Sequence, residues 1–185
     1  MSDPGVTMEG MSNAERPMPP LDADERATLA GWLDFYRATL AQKCADLSEE
    51  GLRETPAAPS PITLLGLLQH LAEVERNWFR RVLAQEDVPS FFPPPAGGGG
   101  ADQGREGGWE VAEDATYEQA LARWEAEVAA ARENCAARAL DDTSPFMGGA
   151  RVTLRWIYTH MIGEYARHCG HADLIRERID GRTGV

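Results

Sequence analysis

Residues 159–177, THMIGEYARHCGHADLIRE, place three of the four histidines of the chain on one predicted helix. His160, Glu164, His168 and His171 follow one another at spacings of 4, 4 and 3 residues. At about 100° per residue, their side chains fall within roughly 80° of one helix face. The stretch therefore predicts a helix that presents imidazoles and a carboxylate on a single side.

The fourth histidine, His70, lies in a second helical run, LLGLLQHLAEVERNWF. Leucines flank it, so we expect the imidazole to face the bundle interior, where it needs a polar partner. Glu164 and His168 are four residues apart and can converge on one ion, and a facing histidine completes three protein ligands. Facing helices build metal sites in this way. His160 or His171 could take the place of Glu164 in the set.

Apolar residues at helical spacing predict four amphipathic helices of about 25 residues each, and no alternating segment predicts a strand of useful length. Residues 87–115 contain PPP and GGGG, which exclude a helix or strand there. The predicted fold is an all-α four-helix bundle with one long Gly/Pro-rich connection between helices 2 and 3. The predicted helices cover residues 21–47, a run that starts near Ser60, residues 116–139 and residues 153–179.

Residues 1–20 are polar and Pro-rich and predict a flexible N-terminal tail, which leaves residues 21–185 as one helical domain. Asp22 is the predicted N-cap of the first helix and Thr116 that of the third. Residues 141–150, DDTSPFMGGA, are predicted to form a turn.

The charge balance narrows the class of partner. The chain carries 18 basic and 30 acidic residues, a net charge of −12, which argues against nucleic acid or an anionic membrane as partner. Three widely spaced cysteines form neither a disulfide framework nor a CxxC metal pair, and we expect a cytoplasmic protein. No apolar run approaches about 18 residues, so no membrane span is expected.

Two runs, LLQHLAEVERNWF and WIYTHMIGEYARHCGHADLIRERIDGRTG, resemble the DinB/YfiT-like superfamily of metal-binding four-helix bundles. The resemblance covers about residues 21–184 and points to the actinobacterial branch of mycothiol-dependent S-transferases and maleylpyruvate isomerase. It implies a DinB-like bundle whose divalent metal is held by His70, Glu164 and His168. Many relatives carry a third histidine where this chain has Glu164, and many carry glutamine where it has His171, which makes His171 a neighbour of the site.

The same resemblance implies a chemistry. A thiol that coordinates Zn²⁺ becomes a nucleophilic thiolate at neutral pH, and the implied thiol is mycothiol. The expected reaction is S-transfer to a small electrophile or thiol-assisted isomerisation, with Zn²⁺ as the first candidate metal and Ni²⁺, Mn²⁺ or Fe²⁺ as others. Two alternatives remain: a non-catalytic metal- or ligand-binding bundle, and a metal-dependent hydrolase of a small amide or ester. Related bundles pair, so a homodimer is possible.

Several further residues are candidates for the surroundings of the metal or for substrate binding. Arginines at the site mouth would hold a carboxylate or sugar hydroxyls, or else pair with surface acids. Glu73 would support His70, or else form a solvated pair with Glu75. The candidates are His160, His171, Glu73, Tyr158, Tyr165, Arg155, Arg167 and Arg176.

Three residues are interpreted as playing no part in the site. Trp78 and Trp156 are expected in the core. Cys169 follows His168 directly and points about 100° away from it, so it is excluded as a ligand.

Overall fold

The computed structural model describes residues 16–92 and 107–183 and confirms the predicted all-α bundle. Most of the predicted tail (1–15), the middle of the long connection (93–106) and residues 184–185 lie outside the described residues. The elements are α1 (Glu25–Cys44), α2 (Glu49–Arg53), α3 (Leu64–Glu75) with its π-helical continuation (Arg76–Leu83), α4 (Tyr117–Ala136), β1 (Thr143–Pro145), β2 (Arg151–Thr153) and α5 (Leu154–Asp180).

The N-caps show how well the sequence predicted the start of each helix. Thr116 accepts a hydrogen bond from the Gln119 backbone N–H at 3.3 Å, as predicted for α4. The cap of α1 is Asp24 rather than Asp22, and the two aspartates carry the same local signal. Helix α3 begins after Thr63, not near Ser60, because the Thr63 hydroxyl accepts from the Gly66 N–H at 2.9 Å.

Two short connections contain regular structure that was not predicted. Within residues 141–150 the chain enters β1, which pairs antiparallel with β2 in a two-stranded sheet. Residues 49–53 form α2, which the sequence analysis did not predict. The last residues of the predicted tail also have contacts: Arg16 lies 4.6 Å from the Phe35 ring centroid, and Pro19 is buried.

The core forms where α1 packs on α5 and α3 packs on α4. Helices α3 and α5 run antiparallel in contact, because His70 lies beside His168 while Trp78 lies beside His160. Among the described residues, no helix combines the length and apolar character needed to cross a bilayer. Leucines dominate the fully buried side chains: Leu33, Leu40, Leu52, Leu64, Leu65, Leu67, Leu68, Leu71, Leu83 and Leu154.

A buried polar network joins the four long helices at their centre. Glu75 on α3 accepts two hydrogen bonds from Arg37 on α1, at 2.8 and 2.7 Å, and one from Tyr165 on α5 at 2.7 Å. Trp124 on α4 donates to the Tyr165 hydroxyl at 2.8 Å. The expectation of a solvated Glu73–Glu75 pair is wrong, since both side chains are buried.

Candidate metal centre

Two imidazoles and one carboxylate converge between α3 and α5. His70, Glu164 and His168 each offer one ligand atom, and these atoms lie within 4.8 Å of one another. Ligands at about 2.1 Å from a tetrahedral Zn²⁺ are about 3.5 Å apart, so shifts of about 1 Å would close the group around an ion. Both histidines are 4% exposed and the Glu164 side chain is 16% exposed. The donor set therefore fits a divalent cation reached from the Glu164 side.

The backbone after the long connection orients His70. Its Nδ1 lies 3.1 Å from the carbonyl oxygen of Gly107. A carbonyl can only accept, so Nδ1 carries the proton and the lone pair is on Nε2. Trp109 stacks on the imidazole with ring centroids 4.0 Å apart. Metal-binding histidines are commonly fixed by such a bond from the other ring nitrogen.

His168 is held by contacts at both of its ring nitrogens. Nε2 lies 3.3 Å from a Glu164 carboxylate oxygen, and Nδ1 lies 3.3 Å from Nδ1 of His171. Burial, together with the charges of His171 and Arg167, lowers the pKa of His168 to about 4. His168 is therefore neutral at pH 7, which is the form that binds a metal.

Glu164 supplies the negative charge of the group at its more open side. Its other carboxylate oxygen lies 3.3 Å from a guanidinium nitrogen of Arg167, whose side chain is 63% exposed. Such an exposed pair contributes little to stability. The pair places the positive charge of Arg167 beside the open side of the group. Binding of a carboxylate or sugar hydroxyls, one of the predicted roles for Arg167, requires such a position.

Residues 107–109, in the last part of the long connection, pass directly over α3. A Cβ added at Gly108, whose φ is +101°, would lie 2.7 Å from the His70 backbone nitrogen, and one at Gly66 would lie 3.2 Å from the Trp109 carbonyl oxygen. Two glycines thus let residues 107–109 approach the ligand helix closely. Trp109 was not among the residues that the sequence placed near the site. The Gly-Gly-Trp run was the available signal.

We expect Gly108→Ala to destabilise the protein by about 1–3 kcal/mol more than Gly149→Ala does. Both positions have positive φ, but a Cβ at Gly149 meets nothing within 4 Å, so the difference isolates the clash with His70. Urea unfolding of both variants measures it. Equal losses of stability would mean that residues 107–109 do not press on α3.

Three residues predicted near the metal lie elsewhere on α5. Arg155 lies nine residues before Glu164 on the helix. It forms exposed ion pairs with Glu25 and Asp141 instead. Arg176, near the other end of α5, donates to the carbonyl oxygens of Lys43 and Ala45. His160 packs between Trp78 and Trp156 rather than in the group.

The other three predicted neighbours face the core or the long connection. Tyr158 packs on Phe79 and interacts with Cys135, and Tyr165 belongs to the central network. Glu73 accepts from Arg81, from the Ser90 hydroxyl and from the backbone of Phe91. It therefore anchors the start of the long connection instead of binding His70.

Of the two tryptophans expected in the core, only Trp78 is buried; Trp156 is 48% exposed, so that expectation is wrong. Cys169 donates towards the Tyr36 carbonyl oxygen at 3.5 Å, and burial raises the pKa of its thiol to about 12. A protonated, buried thiol is neither a metal ligand nor a nucleophile, which agrees with the prediction from the sequence that Cys169 is not a ligand.

The comparison with protein families agrees with the motif resemblance. Residues 28–181 match the family model described as Mycothiol-S-transferase. The match includes all three residues of the candidate centre and the return segment at 107–109. No curated protein matches the chain.

Proposed function

The chain belongs to the mycothiol S-transferase family, and from this membership we propose that it joins the sulfur of mycothiol to a small electrophile at a metal held by His70, Glu164 and His168. The observation that supports the proposal is the convergence of three ligand atoms within 4.8 Å, from two helices. Three protein ligands that leave positions for thiol and substrate are the pattern of a catalytic site.

The family relationship suggests the thiol, and the chemistry of the ligand set suggests the metal. Two imidazoles and one carboxylate suit Zn²⁺, and they also suit Ni²⁺, Mn²⁺ or Fe²⁺. Bound there, a divalent cation would favour the thiolate form of a coordinating thiol, which is the nucleophilic form.

The chain's own residues would prepare the site in three ways. The Gly107 carbonyl would hold His70 in the tautomer that binding needs, and His171 would orient the ring of His168. Trp109 covers His70 and lies 5.4 Å from the His168 ring centroid, so it would keep bulk water from this side. Arg167, beside Glu164, would meet the polar part of the thiol.

The test is an assay of thiol consumption by the purified protein, with monochlorobimane as electrophile. We expect conjugation with mycothiol at a rate at least tenfold above that with cysteine, and loss of the enzymatic rate when a chelator removes the metal. Elemental analysis of the same preparation gives the metal content.

The other outcomes of this assay would favour a different function or contradict the proposal. Full metal occupancy without thiol consumption would favour a binding protein. Cleavage of small amides or esters by water, without any thiol, would favour a hydrolase. Thiol transfer that survives complete metal removal would contradict the proposed role of the centre.

A further inference from the structure

A partly exposed aromatic cluster lies on the same pair of helices as the candidate centre, about two turns away, and has no role in the function proposed above. Trp156 stacks on His160 with ring centroids 5.0 Å apart and an interplanar angle of 7°. Trp78 lies 4.4 Å from His160 and 5.2 Å from Trp156, and it also stacks on Phe146 at 5.5 Å. We call these four residues the aromatic cluster. Trp156 is 48% exposed, so one large ring of the cluster faces solvent.

The cluster and the centre share one line of contact between antiparallel helices. At one level His70 contacts His168. Eight residues further along the first helix and eight residues earlier on α5, Trp78 contacts His160. At 1.5 Å per residue the two levels are about 12 Å apart. Glu164, at the open side of the centre, lies one helical turn from His160. A ligand that reaches Glu164 from the aromatic cluster has to bridge about 6 Å.

The cluster also contains an unused hydrogen-bond donor. The indole Nε1 of Trp78 is buried, and no acceptor reaches it among the described residues. A buried donor without an acceptor is costly, and a carbonyl group on a bound ligand would satisfy it. Flat rings with one donor suit a planar aromatic ligand that carries an acceptor.

The two ends of the line differ in polarity, which decides the occupant. Beyond Glu164, towards the C-terminus of α5, the polar groups are the exposed Arg167 and the half-buried His171, which contacts the buried His168. These match a thiol rich in hydroxyl groups. In the opposite direction the side chains on the same line are aromatic. Arg155 there is already paired with Glu25 and Asp141, and the Thr159 hydroxyl is bonded to the Arg155 carbonyl at 3.0 Å. The apolar end therefore suits the second substrate.

We propose that the aromatic cluster is the electrophile subsite and that it selects planar aromatic electrophiles bearing a carbonyl group. The inference rests on the proposed function. In the step it serves, the thiolate sulfur forms a bond to the electrophilic carbon while the carbon–chloride bond of an aryl chloromethyl ketone breaks. Chloride leaves with the electron pair, and the thiol proton passes to solvent.

The test compares ω-chloroacetophenone with chloroacetone, since the two chloroketones differ only in a phenyl against a methyl group on the carbonyl carbon. In Trp156→Ala we expect the KM for ω-chloroacetophenone, relative to that for chloroacetone, to rise about fivefold, the loss of one aromatic contact. Trp156→Phe should restore most of the preference. Trp32→Ala is the matched control, because Trp32 is 39% exposed and packs against Phe35 and Tyr36.

Binding of acetophenone, which has no leaving group, separates this inference from the proposed function. Equilibrium dialysis should show about fivefold weaker binding to Trp156→Ala than to the wild type, whether or not the protein turns over. Unchanged acetophenone binding in that variant would overturn the subsite even if thiol transfer is found. Weakened binding of mycothiol, with acetophenone unaffected, would assign the cluster to the thiol and would also overturn it.

Discussion

His168→Ala should lose stoichiometric divalent metal, with an affinity more than about 100-fold below that of the wild type. Replacing a hydrogen-bond partner of a metal ligand typically costs 10–100-fold, and loss of a ligand itself should exceed that range. His168 is one of three residues whose ligand atoms lie within 4.8 Å of one another. Dialysis followed by elemental analysis gives the metal content, and competition with a chromophoric chelator gives the affinity.

His160→Ala is the matched control for this loss. It removes an imidazole from the same helix, two turns earlier, and His160 contacts Trp78 and Trp156 instead of the centre. Its metal content should equal that of the wild type. Glu164→Gln guards against a folding artefact, because it keeps the shape of a partly exposed side chain and should still weaken binding. Full metal content in His168→Ala with native helicity would remove that residue from the centre.

Part of the candidate metal-binding group could be predicted because two of its residues lie close together in the sequence. An i, i+4 pair on a helix needs only helical periodicity to align, so the spacing indicated Glu164 and His168 but left His160 and His171 as alternatives to Glu164. The family resemblance implied the set with Glu164. Choosing His70 as their partner required two helices to face each other, and the leucines around it supplied that information. The bundle was equally accessible, since four long amphipathic segments leave few other ways to bury their apolar faces.

What the sequence did not predict depends on contacts between distant segments. The Gly107 carbonyl reaches His70 across 37 positions of chain, and a backbone atom leaves no mark in a composition or a period. Trp156 looked like a core residue because its type favours burial, yet its helix turns it to solvent. Glu75 looked like a surface acid because its partner, Arg37, lies on another helix.

The polar network around Glu75 yields the largest expected effect on stability. Glu75 is fully buried and Arg37 is 5% exposed, so this ion pair is shielded from water. Burial alone would lower the pKa of Arg37, but the charge of Glu75 outweighs it and raises that pKa above its usual value. Arg37 therefore stays charged beside Glu75. Removing one partner leaves an uncompensated buried charge, which is far costlier than removing both.

Arg37→Met should accordingly lower the free energy of unfolding by about 3–5 kcal/mol, measured by urea denaturation. The double variant Arg37→Met/Glu75→Leu should be more stable than the single one, because it removes the stranded carboxylate. Tyr165→Phe should cost about 1–3 kcal/mol, since Trp124 would lose its acceptor while Glu75 keeps Arg37. If the double variant were less stable than Arg37→Met by a further 3 kcal/mol, the cost would come from lost packing rather than from an unpaired charge, and the network would not be an electrostatic tie between the helices.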